Sequence, residues 1–317
     1  MPTRVNPAPP NPPTDDNLPH PVLLLVNGNS RTGKAVFGEA IAALRDAGVE
    51  VKQAVLARDR EETERLLKNE IASHARLVIV GGGDGTLSTC AEILAGSEVA
   101  MGVLPLGTGN TFARSIGIPV DMVGAIKTIS TGKVEAVDVG KCNEQVFLNS
   151  VSLGLSAEIA GALTGEVKKK LGLLSWPVIG SKVIATHRSL KLRVVSKERT
   201  FTMKTHQLVV ANGRYVAGPI KASENASLQD NELTVFALGG STKGALFRAS
   251  WQWLRRKHKE AREVPFFETK ELRVESMGRR IKANVDGEIN EHTPLTISVW
   301  PRALKVIVPQ DFVADEV

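Results

Sequence analysis

With 317 residues the chain has room for two domains that each bury a core. Its 42% hydrophobic and 23% charged content belongs to an ordinary globular protein, which excludes disordered, collagenous and disulfide-scaffold classes. The formal net charge of +6 favours an anionic partner. Nine Phe, four Trp and one Tyr are too few for a base-stacking platform, so nucleic acid is set aside. Cys90 and Cys142 form no C-x-x-C, which indicates neither a zinc site nor a disulfide framework and suits a reducing compartment.

Residues 1–21 are rich in Pro, Asn and Asp and lack the apolar core of a signal peptide, so they read as a disordered leader. No apolar run is long enough to span a bilayer. The segment 22–26 reads as a first buried strand. A helix follows over 35–47, with Val36, Ala40, Ile41 and Leu44 on one face and Gly48 as its stop. Residues 49–56 form a second strand, and 61–73 a helix whose acidic first turn suits its dipole. Next come a strand over 77–80, a helix over 87–94, a strand over 101–105 and a glycine loop over 106–110. Strands alternating with helices at this spacing call for a parallel sheet covered on both faces. Ligands of such sheets lie off the carboxyl ends of the strands, where the polar loops converge.

The chemistry concentrates in 76–88, RLVIVGGGDGTLS. After the strand come Gly81, Gly82, Gly83, Asp84, Gly85, Thr86, Leu87 and Ser88. Without Cβ atoms to shield it, glycine backbone can bring its N–H groups against phosphate oxygens, and a following helix points its positive end at the same place. A carboxylate there is explained if a divalent cation sits between Asp84 and the phosphates, since Mg²⁺ is held by one or two carboxylates plus phosphate oxygens. The plain alternative is a glycine-rich turn with Asp84 merely near a helix start. A near miss precedes it. Residues 28–35, GNSRTGKA, approach the P-loop pattern but end in Ala35, which has no hydroxyl for Mg²⁺. The milder reading is that this loop's backbone and Ser30 touch a nucleotide.

Beyond residue 137 the rhythm changes to short strands, at 145–153, 190–196, 202–212, 232–238, 271–276, 280–285, 295–300 and 304–308, which suggests a β-sandwich. Two helical insertions, near 163–186 and 244–261, interrupt them. Asp286-Gly287 between alternating segments is a hairpin signal in its own right. None of the six His residues belongs to a metalloprotease motif or a plausible triad.

Four ordered blocks carry a resemblance. Gly82-Gly83-Asp84-Gly85-Thr86 matches GGDGT; Leu104 to Asn110 with Phe112-Ala113-Arg114 matches lPlGTxNdfAr. Phe147-Leu148-Asn149 through Glu158 matches a third block, and Val285-Asp286-Gly287-Glu288 matches VDGE. From about residue 22 to 309 the chain resembles the diacylglycerol kinase catalytic-domain family, especially the soluble bacterial lipid kinases related to NAD kinases and sphingosine kinases. The resemblance implies an ATP- and Mg²⁺-dependent kinase of lipid metabolism and phospholipid biosynthesis. It places Asn27 and Ser30 along the nucleotide, residues 82–88 on the phosphates, and Thr108 and Asn110 closing the site. It further places Glu288, with Asp286 beside it, as proton acceptor for a lipid hydroxyl.

The departures are specific. The family's NPxSGxG reads Asn27-Gly28-Asn29-Ser30-Arg31-Thr32-Gly33, and its NDF reads Asn110-Thr111-Phe112, one carboxylate short. A second Mg²⁺ site that some members carry would use Asp230 with the carbonyls of Ser227 and Glu232, but Gln229 replaces its first Asp. Lower charge weakens a hard-cation site. Asn231 can still supply a left-handed turn.

The expected organisation is therefore a leader, 1–21; an α/β nucleotide-binding domain, 22–135; a β-rich lipid-acceptor domain, 136–309; and a tail, 310–317. The active site lies in the cleft between the two domains. A basic helix over 247–259, with Phe247, Trp251 and Leu254 on one face, fits either an anionic bilayer surface or packing on the sandwich. Lys168-Lys169-Lys170 is a second candidate contact. Location is expected to be cytoplasmic, with peripheral contact at the inner membrane face. An NAD kinase-like enzyme and a catalytically inactive nucleotide-binding regulator remain as alternatives, and the acceptor lipid and oligomeric state stay open.

Overall fold

Strand β1 (Val22–Asn27) is apolar and buried at five of its six positions, as expected of a strand covered on both faces. It pairs in parallel with β2 (Val51–Ala57) and β3 (Leu77–Gly82), and β3 pairs in parallel with β4 (Ala100–Pro105). Every residue of β3 and β4 is buried. Helices α1 (Arg31–Asp46), α2 (Arg60–Ala72), α3 (Asp84–Leu94), α4 (Thr111–Ser115) and α5 (Met122–Thr131) belong to this α/β part. The carboxyl ends of β1, β3 and β4 are Asn27, Gly82 and Pro105, so the three polar loops read from the sequence gather at one edge. This computed structural model describes residues 21–162, 183, 186–223, 226–239 and 266–313. The leader to residue 20, the stretch 168–170, the basic helix over 247–259, Asn225 and the end of the tail lie outside the described residues.

The C-terminal part is sandwich-like. It contains β5 (Lys133–Cys142), β6 (Gln145–Phe147), β7 (Ser150–Gly154), α6 (Leu155–Ala162), β8 (Leu190–Ser196) and β9 (Thr200–Ala211). After a small hairpin, β10 (Tyr215–Ala217) and β11 (Ile220–Lys221), come β12 (Leu233–Gly239), β13 (Phe266–Thr269) and β14 (Glu271–Ser276). Strands β15 (Lys282–Val285), β16 (Glu288–His292) and β17 (Leu295–Val308) complete it. Strand β9 changes layer: its first half pairs with β8, and its second half with β7 and β12. The change falls at Thr205–Gln207, where the Thr205 hydroxyl donates to the Gln207 carbonyl at 2.8 Å. Enclosed between the layers are Phe147, Val151, Leu153, Leu192, Val210, Val235, Leu272 and Ile297.

Strand β17 joins the two parts. Its start pairs antiparallel with β14, its length runs antiparallel along β5, and Val306 pairs in parallel with Met101 of β4. Strand β5 likewise serves both cores, Val137 and Val139 packing in the first and Cys142 in the second. Strands 295–300 and 304–308 are thus one strand, with an irregularity at Arg302, whose φ is +49°.

Other departures from the sequence pattern have local causes. Helix α1 begins at Arg31, because the Ser30 hydroxyl caps it by accepting from the Gly33 N–H. Helix α3 begins at Asp84, with extended Gly83 as its N-cap, so Asp84, Gly85 and Thr86 form its first turn. The expected strand over 145–153 is two strands, β6 and β7. Helices α4, α5 and α6 and strands β5, β10, β11 and β13 have no counterpart in the sequence reading, whereas β16 is the second strand of the hairpin that Asp286-Gly287 signalled.

Gly140 shows how tight the junction is: a Cβ built there would lie 2.0 Å from the Phe147 ring. Gly140→Ala should overpack this contact and cost about 1–3 kcal/mol, read as a lowered urea midpoint with an unchanged slope. An unchanged midpoint would show that the junction yields freely.

Candidate active site

Helix α3 opens with no side chain at its cap, since Gly83 has none to offer. The N–H groups of such a first turn are free to meet an anion, and the helix dipole favours negative charge there. The two glycine loops touch backbone to backbone. A Cβ on Gly107 would lie 2.5 Å from the Gly83 Cα, and one on Gly82 would lie 2.6 Å from the Thr86 Cβ. Gly85, by contrast, faces open space. The backbone therefore forms a closed floor with an accessible side, a shape that only residues without side chains permit.

Asp84, the first residue of α3, turns its carboxylate onto the second loop. Oδ1 accepts from the Phe112 N–H at 3.1 Å and Oδ2 from the Thr111 hydroxyl at 3.2 Å. Each oxygen spends one lone pair this way and keeps another. That leaves a single carboxylate able to join phosphate oxygens around one Mg²⁺, a donor set that suits the ion.

Beside the loops runs a crevice lined by Leu25, Asn27, Asn29, Ala57, Arg58, Asp59, Arg60, Thr63, Thr86 and Thr89. Asn27 Nδ2 donates to the Thr86 hydroxyl at 2.9 Å, and Asn27 Oδ1 accepts from the Asn29 N–H at 2.8 Å. Asn29 Nδ2 donates to the Arg58 carbonyl at 2.6 Å. Gly28 allows this approach, because a Cβ there would sit 2.7 Å from the Ala57 carbonyl. The loop of the near-miss motif is consequently closed against β2 and does not form a P-loop cradle.

The C-terminal part reaches this edge through the β15–β16 hairpin. Asp286 and Gly287, with φ of +48° and +101°, make the two-residue turn that Asp-Gly favours. The Asp286 residue keeps some surface in solvent at the turn, but its carboxylate is enclosed. Four donors converge on it: the Ser88 hydroxyl at 2.7 Å and the N–H groups of Leu148 at 2.6 Å, Asn149 at 2.9 Å and Ser150 at 2.9 Å. Desolvation pushes its pKa up, and the Ser88 and backbone hydrogen bonds oppose the rise. These bonds also explain why β6 and β7 are separate, since the intervening N–H groups leave the ladder for this carboxylate.

Glu288, two residues on, is half-buried, and its Oε2 accepts from Asn290 Nδ2 at 3.0 Å. Arg60 at the crevice bonds Glu92 of α3 at 2.6 Å. That bond, with smaller contributions from the charges of Glu92 and Glu288, holds the Arg60 guanidinium above its ordinary pKa against desolvation. Glu288 therefore lies within electrostatic reach of the crevice wall. Because Ser88 sits one helical turn after Asp84, the Asp286–Glu288 turn meets the helix that begins beside the glycine floor.

Residues 21–142 match the family model described as the diacylglycerol kinase catalytic domain, and residues 149–308 match that of the YegS C-terminal NAD kinase beta sandwich-like domain. The chain belongs to the diacylglycerol kinase catalytic-domain family. A relative named "Probable lipid kinase YegS-like" from Pseudomonas aeruginosa is 28% identical over 306 residues, covering 91% of this chain and 94% of its own. A diacylglycerol kinase from Staphylococcus aureus is 26% identical over 296 residues, covering 91% and 93%. A crystal structure of a diacylglycerol kinase from Bacillus anthracis superposes with a TM-score of 0.74 at 24% identity, covering 92% of this chain and 98% of that one, a likeness of fold.

Within this member of the diacylglycerol kinase family, several residues expected at the site do other work. The Leu87 side chain is fully buried in the core, and the Ser88 hydroxyl is turned to Asp286. Ser30 is the cap of α1. Asn110, at φ +50°, folds its own loop by exchanging two hydrogen bonds with Gly107, at 2.9 and 3.0 Å, while Thr108 stands exposed at the tip. Asn149 is buried, and its amide oxygen has no hydrogen-bond partner among the described residues. Arg60 and Thr89 were absent from the sequence reading, and Asn29 and Thr111 stood there only as departures from the family's pattern. The β2–α2 loop could have been found, because it too follows the carboxyl end of a parallel strand.

The second cation site fits poorly. Asp230 accepts from the Ser227 and Glu232 N–H groups, both at 2.9 Å, and burial pushes its pKa up to about 6. Gln229 Nε2 donates to the Ala136 carbonyl at 2.8 Å and its Oε1 is buried with no hydrogen-bond partner among the described residues, so the residue offers a neutral amide oxygen where a hard cation is better served by a carboxylate. Asn231 does take the left-handed turn, at φ +57°. Among the described residues no three His, Cys, Asp or Glu side chains are grouped to hold a metal ion. Cys90 and Cys142 are free and buried, each thiol pushed up to about 12 by burial, and are inert as nucleophiles.

Removing the Asp286 carboxylate would orphan three N–H groups and one hydroxyl. Asp286→Ala should cost about 3 kcal/mol or more, and Ser88→Ala about 1.5–3 kcal/mol, both measured by chemical denaturation. A Ser88→Ala protein as stable as the wild type would show that the bridge between α3 and the hairpin carries no weight.

Proposed function

We propose that this protein is an ATP- and Mg²⁺-dependent lipid kinase that transfers the γ-phosphoryl group of ATP to a lipid hydroxyl, with a diacylglycerol-like acceptor. Family membership supports a kinase, and the names of the relatives support a lipid acceptor. The observation that carries the reading is the Asp286–Glu288 turn, which the sandwich delivers to α3 beside the uncapped, glycine-floored helix start. We take residues 22–135 as the nucleotide-binding unit, 136–309 as the acceptor unit, and the edge where the Asp286–Glu288 turn meets α3, beside the crevice, as the active site.

Asn27, Asn29, Arg60, Thr86 and Thr89 line the space for the nucleotide, and the first turn of α3 receives its phosphates. MgATP, when bound, supplies the transferable phosphoryl group and neutralises much of its charge. Asp84 holds the metal side of that assembly. Glu288 takes the proton of the acceptor hydroxyl, whose oxygen bonds to the γ-phosphorus as the bond to ADP breaks. Asp286, with four donors already on its carboxylate, positions Glu288 rather than accepting the proton. Phosphoryl transfer depends on placement and charge compensation, so this equipment is sufficient. The Asp230 loop is a scaffold in this reading.

No helix among the described residues is long and apolar enough to cross a membrane. The proposal is for a protein that meets its lipid at an anionic bilayer surface, on the cytoplasmic face, and serves phospholipid metabolism.

The test is ADP release with and without mixed lipid micelles. Lipid-dependent turnover should fall about 10²–10⁴-fold in Glu288→Gln, with substrate KM little changed, and Asp84→Asn should raise the Mg²⁺ concentration needed for half-maximal rate. Turnover that follows NAD instead of lipid would replace this reading with an NAD kinase. Nucleotide binding without turnover would indicate a regulator.

A further inference from the structure

Thr111 joins three elements through one hydroxyl. It is buried at 4% exposure, at the start of α4, on the second glycine loop. Its oxygen accepts from the Gly218 N–H at 2.8 Å, and its proton goes to Asp84 Oδ2 at 3.2 Å. Gly218 lies between β10 and β11, and a Cβ built on Gly109 would meet its Cα at 3.7 Å. Gly109 in turn lies close to Asp84, where a Cβ would sit 3.0 Å from Oδ2. The hairpin of the acceptor unit thus rests on the glycine loop of the nucleotide unit, and Thr111 makes a polar contact between them.

A hydroxyl has one proton and two acceptor lone pairs, and its rotor turns to suit its partners. When the Gly218 N–H occupies one lone pair, the proton is directed away from it, toward Asp84. The carboxylate is then fixed by two donors, Thr111 Oγ1 and the Phe112 N–H, one on each oxygen. Hydrogen bonds in such a chain strengthen one another. Without the hairpin the hydroxyl could rotate, and Oδ2 would lose its fixed donor.

We infer that Thr111 is a positioning residue: with the β10–β11 hairpin's N–H on its oxygen, its hydroxyl fixes the orientation of Asp84 and so sets the affinity for MgATP. This rests on the kinase reading, in which Asp84 faces the metal-bound phosphates. This role requires the hydroxyl and not the volume of the side chain. Valine keeps the volume and loses the hydroxyl, serine does the reverse, and alanine loses both.

The experiment uses the full chain, with calorimetric titration of MgATP, melting temperature, and kcat and KM for Thr111→Val, Thr111→Ser and Thr111→Ala. Thr111→Val and Thr111→Ala should weaken MgATP by about tenfold or more, the loss expected for one hydrogen bond to a charged group. Thr111→Ser should stay within about twofold of wild type, on the same hydrogen-bond argument. If Thr111→Val does not fold, Thr111→Ala reads the same loss. Equal MgATP affinity in wild type, valine and alanine forms overturns the inference. So does a serine form as weak as valine, or a drop in melting temperature with unchanged affinity. A wild-type protein that binds no MgATP overturns the kinase reading and this positioning role with it, whereas a wild type that binds while the variants match it overturns the positioning role alone.

Discussion

An enclosed carboxylate must be answered by donors, and Asp286 recruits them from both parts of the chain. Three consecutive backbone N–H groups come from the turn between β6 and β7, and the fourth donor is a serine on α3. Charge taken out of water is tolerated only when hydrogen-bonded. This need makes the hairpin and the helix one piece. Everything placed on either side inherits that fixed distance: the glycine floor at the start of α3, the crevice beside it, and Glu288 two residues beyond the carboxylate. Domain stability is only about 5–15 kcal/mol, so a set of four such bonds is a large part of what keeps the cleft in shape.

A second tie runs through the sheet. Strand β17 pairs in parallel with β4 and antiparallel with β5 and β14, so the sheet passes from one part to the other without an edge. Asp138 reinforces the crossing by accepting from the Arg302 N–H at 2.8 Å and the Asn231 N–H at 2.7 Å, at the irregularity of β17 and the turn of the Asp230 loop. Two positions where this chain departs from the family pattern it resembles make local hydrogen bonds. Gln229 bonds a neighbouring carbonyl, and Thr111 bonds Asp84. A lost carboxylate at each place is met by a neutral hydrogen-bonding side chain.

Much of the fold could be read from pattern. Continuous apolar runs marked β1, β3 and β4, because a parallel strand buries both faces. The Asp286-Gly287 turn was legible from its dipeptide alone. Short elements were not. Helix α4 has five residues, too few for a periodicity to show, and it begins at a left-handed Asn110 held by Gly107. At the site, glycines and acidic residues announced themselves by type and spacing, but the use of each acid depended on donors far away in sequence. Nothing in residues 285–288 reveals that Asp286 is answered by Ser88, 198 positions earlier, while Glu288 accepts from Asn290. Arg60 and Thr111 matter through contacts that only the folded chain makes.

The most direct measurement is product analysis after incubating the purified protein with γ-labelled ATP, Mg²⁺ and a total lipid extract. This account predicts label in a chloroform-soluble phosphate ester on a lipid hydroxyl, with ADP formed in equal amount. Label confined to a water-soluble dinucleotide, or to no product at all while ATP stays intact, would contradict it.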